Sequence, residues 1–140
     1  MSFKAFLKGS AKLQENKKIA LSERFKDEKG NTELWELKAL SEKENSKIKE
    51  SCISKSFFKG RQQTNFAGEL YTLRICAASV IYPDLYSTEL QESYGVVGQE
   101  DLLGVMLLPG EYSALSEAVQ KLNGFDLEQM ERDMDEVKNS

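Results

Sequence analysis

The stretch from residue 77 to residue 112 reads AASVIYPDLYSTELQESYGVVGQEDLLGVMLLPGEY and contains most of the signals that decide the fold. The residue before a proline avoids the α conformation, so a helix that enters this stretch must end before Pro83. Glycine suits the position after a helix and proline suits the first helical turn, so Gly95 and Pro109 mark two further boundaries. The pattern predicts a short helix from Thr88 to about Ser93, a buried apolar segment at 102–107 and a helix that begins near Pro109.

Helical spacing continues on both sides of this stretch. Apolar residues recur at steps of four and three between Phe66 and Val80, which predicts a buried central helix over residues 66–81. The helix after Pro109 keeps the same spacing as far as Leu122, where Gly124 suits its end. Asp126 then caps a last predicted helix with an acidic outer face.

The N-terminal third has a different periodicity. Apolar and polar residues alternate on either side of Gly30-Asn31, which predicts a β-hairpin. Ser41 and Glu44 have the spacing of a capping box, which predicts a charged helix that continues to about Ile53. Residues 54–64 contain three basic residues and one glycine, and we interpret them as a basic surface loop.

These signals predict one domain over residues 1–140, a length that can bury a single core. Its predicted parts are a flexible arm at 1–16, the β-hairpin at 17–40 and a helical body at 41–140. The predicted fold class is α+β and mainly α, with the N-terminal β-hairpin followed by a compact bundle of five or six helices.

The residues that catalysis and metal binding usually require are scarce. The chain has no histidine, which excludes Ser-His and Cys-His nucleophile pairs, and it has only two cysteines, Cys52 and Cys76. Neither a GxxxxGK[ST] phosphate loop nor a GxGxxG motif occurs. We therefore predict no enzymatic activity, no catalytic, cofactor-binding or metal site and no cofactor, and we read Cys76 as a small buried hydrophobe.

The charge is distributed unevenly between the two halves of the chain. The net charge is −4, but residues 1–62 carry a balance of +6 and residues 63–140 a balance of −10. This asymmetry could steer a partner or favour head-to-tail self-association.

The basic residues between Lys43 and Arg61 surround Phe57 and Phe58, yet the acidic C-terminal half would repel phosphates, so no nucleic acid is predicted as a partner. No apolar run approaches ~20 residues, so no membrane partner is predicted and the expected location is the cytoplasm.

Several segments resemble the XkdN-like tail assembly chaperones of phages and of PBSX-type defective prophages of Gram-positive bacteria. The resemblance extends over nearly the whole chain and is least clear at 54–65. The segments that carry it are Phe6-Leu7, Ser22–Gly30, Trp35–Asn45, Tyr82–Leu85, Glu89–Val96, Leu107–Tyr112 and Asn123–Phe125. It implies a non-enzymatic assembly factor that binds the phage tape-measure protein and keeps it soluble while the tail tube polymerises, and that is absent from the mature virion.

The tail tube protein is a further candidate partner, and a longer frameshifted form is common among such chaperones. Tyrosines and apolar residues gather at the predicted turns, where they suit either protein recognition or packing between helices. The hypothesis for the partner-binding residues is Tyr82, Leu85, Tyr94, Leu108 and Tyr112. Alternatives to the chaperone are a structural tail component retained in the virion, a helical protein-binding adaptor and a nucleic-acid-binding regulator.

Overall fold

A computed structural model describes residues 2–125 of the chain. The predicted last helix, which starts at Asp126, and its acidic stripe lie outside these residues. The elements in chain order are a 3-10 helix (Lys4–Phe6), β1 (Lys17–Ile19), β2 (Trp35–Leu37), α1 (Glu42–Ser51), β3 (Ile53–Phe58), β4 (Arg61–Phe66), α2 (Gly68–Ser79), β5 (Val80–Tyr82), α3 (Thr88–Ser93), α4 (Gln99–Met106) and α5 (Pro109–Leu122).

The first sheet joins the N-terminal strands to a strand from the middle of the chain. Its order is β1-β2-β5, and both pairs are antiparallel. Trp35 and Leu37 point to the same side of β2 and are buried, as their alternation predicts. The pairing of the predicted N-terminal hairpin is thus roughly confirmed, although residues 20–34 make a long connection with its own bridge between Lys26 and Thr32.

Residues 80–81, predicted as the end of the central helix, belong to a strand instead. Helix α2 ends at Ser79, and Val80 pairs with Leu37 in β5. The backbone amide of Lys38 donates to the carbonyl oxygen of Ser79 over 2.8 Å, which fixes the junction. The proline at position 83 requires extended backbone before it, and the free edge of β2 supplies partners for that extended segment.

The predicted bundle of five or six helices is wrong, because the expected basic loop is a second sheet. Strands β3 and β4 pair antiparallel in unbroken register from Ile53↔Phe66 to Phe58↔Arg61. Residues 2–125 contain five α-helices and five strands in two sheets, a mixed α+β fold. Phe66, predicted to start the central helix, ends β4. The loop interpretation gave weight to the charges and overlooked the β-branched and aromatic residues around a two-residue turn.

The helix boundaries follow the local signals. Ser41 caps α1: its hydroxyl accepts from the Glu44 amide and the Glu44 carboxylate accepts from the Ser41 amide, both over 3.1 Å, which confirms the capping box. α5 begins at Pro109 as predicted. α3 begins at Thr88 as predicted, and Ser87 caps it, since the Ser87 hydroxyl accepts from the Leu90 amide.

The core lies where α2, α4 and α5 meet the first sheet. Helix α2 packs against α1, α4 and α5 and continues directly into β5, so it occupies the centre. The Cys76 side chain is fully buried in α2, as the hydrophobe interpretation predicts, and burial raises the pKa of its thiol to about 12. The largest fully buried apolar side chains are Trp35, Leu37, Leu85, Leu102, Leu103, Leu115 and Val119.

Candidate partner-binding surfaces

An apolar groove of about 550 Å³ opens where α2, α4 and the start of α5 meet. Its lining consists of Glu69, Thr72 and Leu73 from α2, Leu103, Gly104 and Leu107 from α4 and the residue after it, and Pro109 and Tyr112 from α5. Gly104 has open space beside it, because a Cβ placed there would meet no heavy atom within 4 Å. The groove is therefore apolar, accessible and of a size that can accept several side chains of a partner.

Tyr112 lines the groove from α5 and adds a hydroxyl group to it. The side chain is partly buried against the core, and this burial is the chief reason that its pKa is raised. The neighbouring Cys76 and the Glu69 carboxylate add to the effect. Glu69 is the charged side chain of the lining, so the groove combines apolar walls with one negative charge and the hydroxyls of Thr72 and Tyr112.

The start of α5, beside the groove, is held by a network centred on Glu111. The Glu111 carboxylate accepts from the Leu108 amide over 2.8 Å and from the Arg24 Nε over 3.1 Å. Arg24 also donates to the carbonyl oxygen of Met106 over 2.8 Å. Hydrogen bonds from Arg24, then from Ser22 and the Leu108 amide, lower the pKa of Glu111 to about 2. One arginine thus ties the long β1–β2 connection to the α4–α5 junction.

The structure places one of the five predicted partner-binding residues in the groove and a second next to its lining. Tyr112 lines the groove, and Leu108, which is 55% exposed, caps the start of α5 next to it. Tyr94 is the C-terminal cap residue of α3 and is 40% exposed.

The other two predicted residues lie elsewhere. Tyr82 is half-exposed on β5, where its hydroxyl donates to the Glu33 carboxylate over 3.1 Å. Leu85 is 1% exposed and belongs to the core, so its side chain contacts other core residues.

Strands β3 and β4 form a second accessible surface, the β3–β4 hairpin (Ile53–Phe66). All twelve strand residues are exposed. The register places Ile53, Phe57 and Phe66 on one face and Phe58 with Arg61 on the other. The Ala67 amide donates to the carbonyl oxygen of Cys52 over 2.9 Å, which closes the base of the hairpin between α1 and α2.

Sequence reasoning missed most of the groove lining and the hairpin as a surface. Leu73 lies in the predicted central helix, and nothing local in the sequence separates a half-buried leucine such as this one from a buried one. Gly104, a glycine inside the apolar run at 102–107, is the sequence signal that indicates a place where another chain can approach the helix backbone closely. For the hairpin, the usable signal was a glycine between two runs that contain exposed aromatic residues.

Within the described part of the chain, no group of three or more Cys, Asp or Glu residues is arranged to hold a metal ion. None of the helices between residues 2 and 125 is both long enough and apolar enough to cross a membrane.

Comparison with known proteins assigns the family. The family described as "Phage XkdN-like tail assembly chaperone protein, TAC" matches residues 3–138. The "Phage-like element PBSX protein XkdN" of Bacillus subtilis (strain 168) is 30% identical over 138 residues, which cover 96% of this chain and 91% of that protein. The "Uncharacterized protein YqbN" of the same organism is 25% identical over 123 residues, 86% of this chain and 83% of that protein.

The fold has a counterpart among solved structures. The crystal structure of the protein YqbN superposes with a TM-score of 0.74 at 23% identity, and the alignment covers 90% of this chain and 97% of that chain. This likeness supports the mixed α+β fold alone. The match over nearly the whole sequence, together with the PBSX relative, shows that the chain belongs to the XkdN-like family of phage tail assembly chaperone proteins.

Proposed function

We propose that the chain is a non-enzymatic chaperone that binds the phage tape-measure protein through the apolar groove and keeps it soluble during tail tube assembly. The observation that carries this proposal is the groove itself, where the side chains of Leu73 and Tyr112 are partly exposed beside the buried Leu103 and Leu107. A tape-measure protein is long and helical, and its unassembled apolar seams favour aggregation. A chaperone must cover such a seam and release it later.

The groove suits one amphipathic helix. Helix-in-groove recognition inserts side chains at positions i, i+3, i+4 and i+7 of the bound helix into an apolar cleft. Three elements frame the groove and its volume is about 550 Å³, room for a few large apolar side chains rather than a whole helix. The hydroxyl of Tyr112 and the carboxylate of Glu69 give polar contacts that fix the register of the helix.

Gly104 offers a test that separates binding from folding. We expect Gly104→Phe to fill the groove without removing a core contact, because open space surrounds this position. Phenylalanine is also a better helix former than glycine, so the variant should melt no lower than wild type. When it is co-expressed with the cognate tape-measure protein, the soluble fraction of that protein should fall to the level seen without chaperone.

Val105→Phe is the matched control. Val105 is the next residue of α4, is 51% exposed and does not line the groove, so this variant adds the same ring elsewhere on the helix. It should keep the tape-measure protein soluble. Equal solubility with both folded variants would place the contact outside the groove, and Tyr94→Ala would then test the wider surface around the start of α5.

The same proposal has the protein act in the host cytoplasm and leave before the particle is complete. Groove contacts of this kind are reversible, and polymerising tube protein can displace them as it covers the tape measure. Mass spectrometry of purified virions should find the tube and tape-measure proteins without this chain. Its presence in stoichiometric amounts would favour a structural tail component.

A further inference from the structure

One side of the β3–β4 hairpin is apolar and open. The register places Ile53, Phe57 and Phe66 on this side, and their side chains are 41% to 78% exposed. Lys55 lies on the same side, because it follows Ile53 by two residues along the strand. We name these four residues the hairpin face. A two-stranded ribbon alone is marginally stable in water, so a segment that covers this face would stabilise it.

A series of contacts connects the hairpin face to the place where the described part of the chain ends. The ring of Phe66 lies 5.6 Å from the ring of Tyr71 on α2. The Tyr71 hydroxyl donates to the side-chain oxygen of Asn45 on α1. Asn45 in turn lines a cleft of about 240 Å³ together with Phe125, the last described residue. Residues 126–140 therefore follow directly from the side of the domain that carries the hairpin face.

The route from Asn45 to the hairpin face is basic. Lys49 follows Asn45 by four residues, so it lies on the same face of α1, one turn nearer to the hairpin. Lys49 and Lys55 are exposed, and the ion pairs formed between residues 2 and 125 involve neither of them. Residues 51–68 contain three basic residues and no carboxylate. This surface favours an occupant that is acidic and contains apolar side chains.

Residues 126–140 of the same chain have that chemistry. They contain six carboxylates and two basic residues, and Leu127, Met130 and Met134 supply apolar side chains. Methionine adapts well to irregular surfaces. The segment is also long enough, because α1 rises about 15 Å over its ten residues, whereas fifteen residues span about 22 Å as a helix and up to about 50 Å when extended.

We propose that residues 126–140 fold back along α1 and cover the hairpin face of their own molecule. Carboxylates of the segment lie against Lys49 and Lys55, and its apolar side chains contact Ile53 and Phe57. The contact is intramolecular, so the effective concentration of the segment at the hairpin is high. The cover stabilises the ribbon and shields its aromatic side chains from other proteins, and it weakens as salt increases.

Hydrogen exchange of the β3 and β4 amides in the full chain measures this contact. A ribbon held by a docked segment opens less often, so its amides exchange more slowly. The C-terminal variant Glu131→Lys, Asp135→Lys should speed this exchange several-fold in nuclease-treated protein, because like charges then meet. The ratio of its exchange rate to that of wild type should not change when the protein is diluted about a hundredfold, because an intramolecular contact is independent of concentration.

A second variant, Lys49→Glu, Lys55→Glu, reverses the other side of the contact. In this background the same C-terminal substitutions should slow the exchange several-fold, since opposite charges meet again. The change of sign separates docking from any direct effect of the substitutions on the ribbon. The control pair Glu89→Lys, Glu92→Lys makes the same change in net charge at exposed positions of α3. It should leave the exchange of the hairpin amides unchanged in both backgrounds.

Three results would overturn the proposal. The first is hairpin exchange that the C-terminal variant leaves at the wild-type rate. The second is an effect of the C-terminal substitutions that has the same sign in both backgrounds. The third is a ratio of rates that approaches one on dilution, because the segment would then act on a different molecule. All variants should keep the wild-type melting temperature, since the substituted residues between 2 and 125 lie outside the core.

Discussion

The core at α2, α4 and α5 and the β3–β4 hairpin contain large apolar side chains in comparable density but use them in opposite ways. Leu102, Leu103 and Leu115 are completely buried, whereas Phe57 is 78% exposed. Burial of a large apolar side chain stabilises the fold by about 1.5–3 kcal/mol, and an exposed one contributes little. The core therefore supplies the stability of the domain, while the hairpin keeps apolar and cationic groups available for contact.

The largest effect should come from truncating a core residue. We expect Leu115→Ala to lower the free energy of unfolding by about 2–5 kcal/mol, because the leucine is fully buried in α5 and its removal leaves a cavity. This is a large part of a typical total of about 5–15 kcal/mol. Urea unfolding measures the loss as a lower midpoint at unchanged slope.

Phe57→Ala is the comparison variant on the hairpin. It removes a larger side chain than Leu115→Ala does, yet the free energy of unfolding should change by less than about 0.5 kcal/mol. If the free energy of unfolding falls by a similar amount in the two variants, the hairpin also stabilises the fold, and the contrast with the core is wrong.

The parts of the fold that the sequence predicts correctly are those that local chemistry decides. Pro109 starts α5 and Ser41 starts α1 because caps and prolines act on the residues next to them. Strand β5 is different, since Val80 is extended only in the presence of the β2 edge, which lies over forty residues away in sequence. The hairpin lacks a buried face, so the alternation of apolar residues that normally identifies a strand is weak there.

In the candidate site too, local sequence signals predict some features, and tertiary packing decides the others. Tyr112 could be chosen from the sequence because a tyrosine near a helix start suits a partly buried position. The opposite wall of the groove, with Leu73 and Leu103, comes from two other helices and exists only after folding. Leu85 resembled Leu108 in sequence, as an apolar residue at a turn, but one is 1% exposed and the other 55%. Which of two such residues points inward is decided by tertiary packing.

A smaller effect should appear at the junction between the core and its surface, where Arg24 holds Glu111. The carboxyl has a pKa of about 2 in the folded protein, below its usual 4.5, so it stabilises the fold above its usual pKa. That contribution is lost as the pH falls from about 4.5 through about 2. Wild type should therefore exceed Glu111→Gln in the free energy of unfolding at neutral pH, and the difference should shrink in acid.

Urea unfolding of both proteins at a series of pH values measures this difference. Arg24→Gln is the matched control, because it removes the largest cause of the lowered pKa and leaves the carboxyl in place. The pH dependence in the acidic range should be smaller in this variant than in wild type. A difference between wild type and Glu111→Gln that is the same at every pH would show that the carboxylate and its protonated form are held equally well.

The smallest effect should be confined to the hairpin turn. Lys59 and Gly60 have φ angles of 52° and 77°, the type I′ conformation that favours Asn-Gly, and lysine is strained there. Left-handed backbone costs a residue other than glycine about 1–2 kcal/mol, and asparagine less. Lys59→Asn should therefore slow hydrogen exchange of the β3 and β4 amides several-fold without moving the melting temperature, which the core determines. Lys55→Asn removes the same charge from a strand position and should give no such protection. Faster exchange in Lys59→Asn would mean that the stability of the ribbon depends on the cation of Lys59 over Phe58 more than on the shape of the turn.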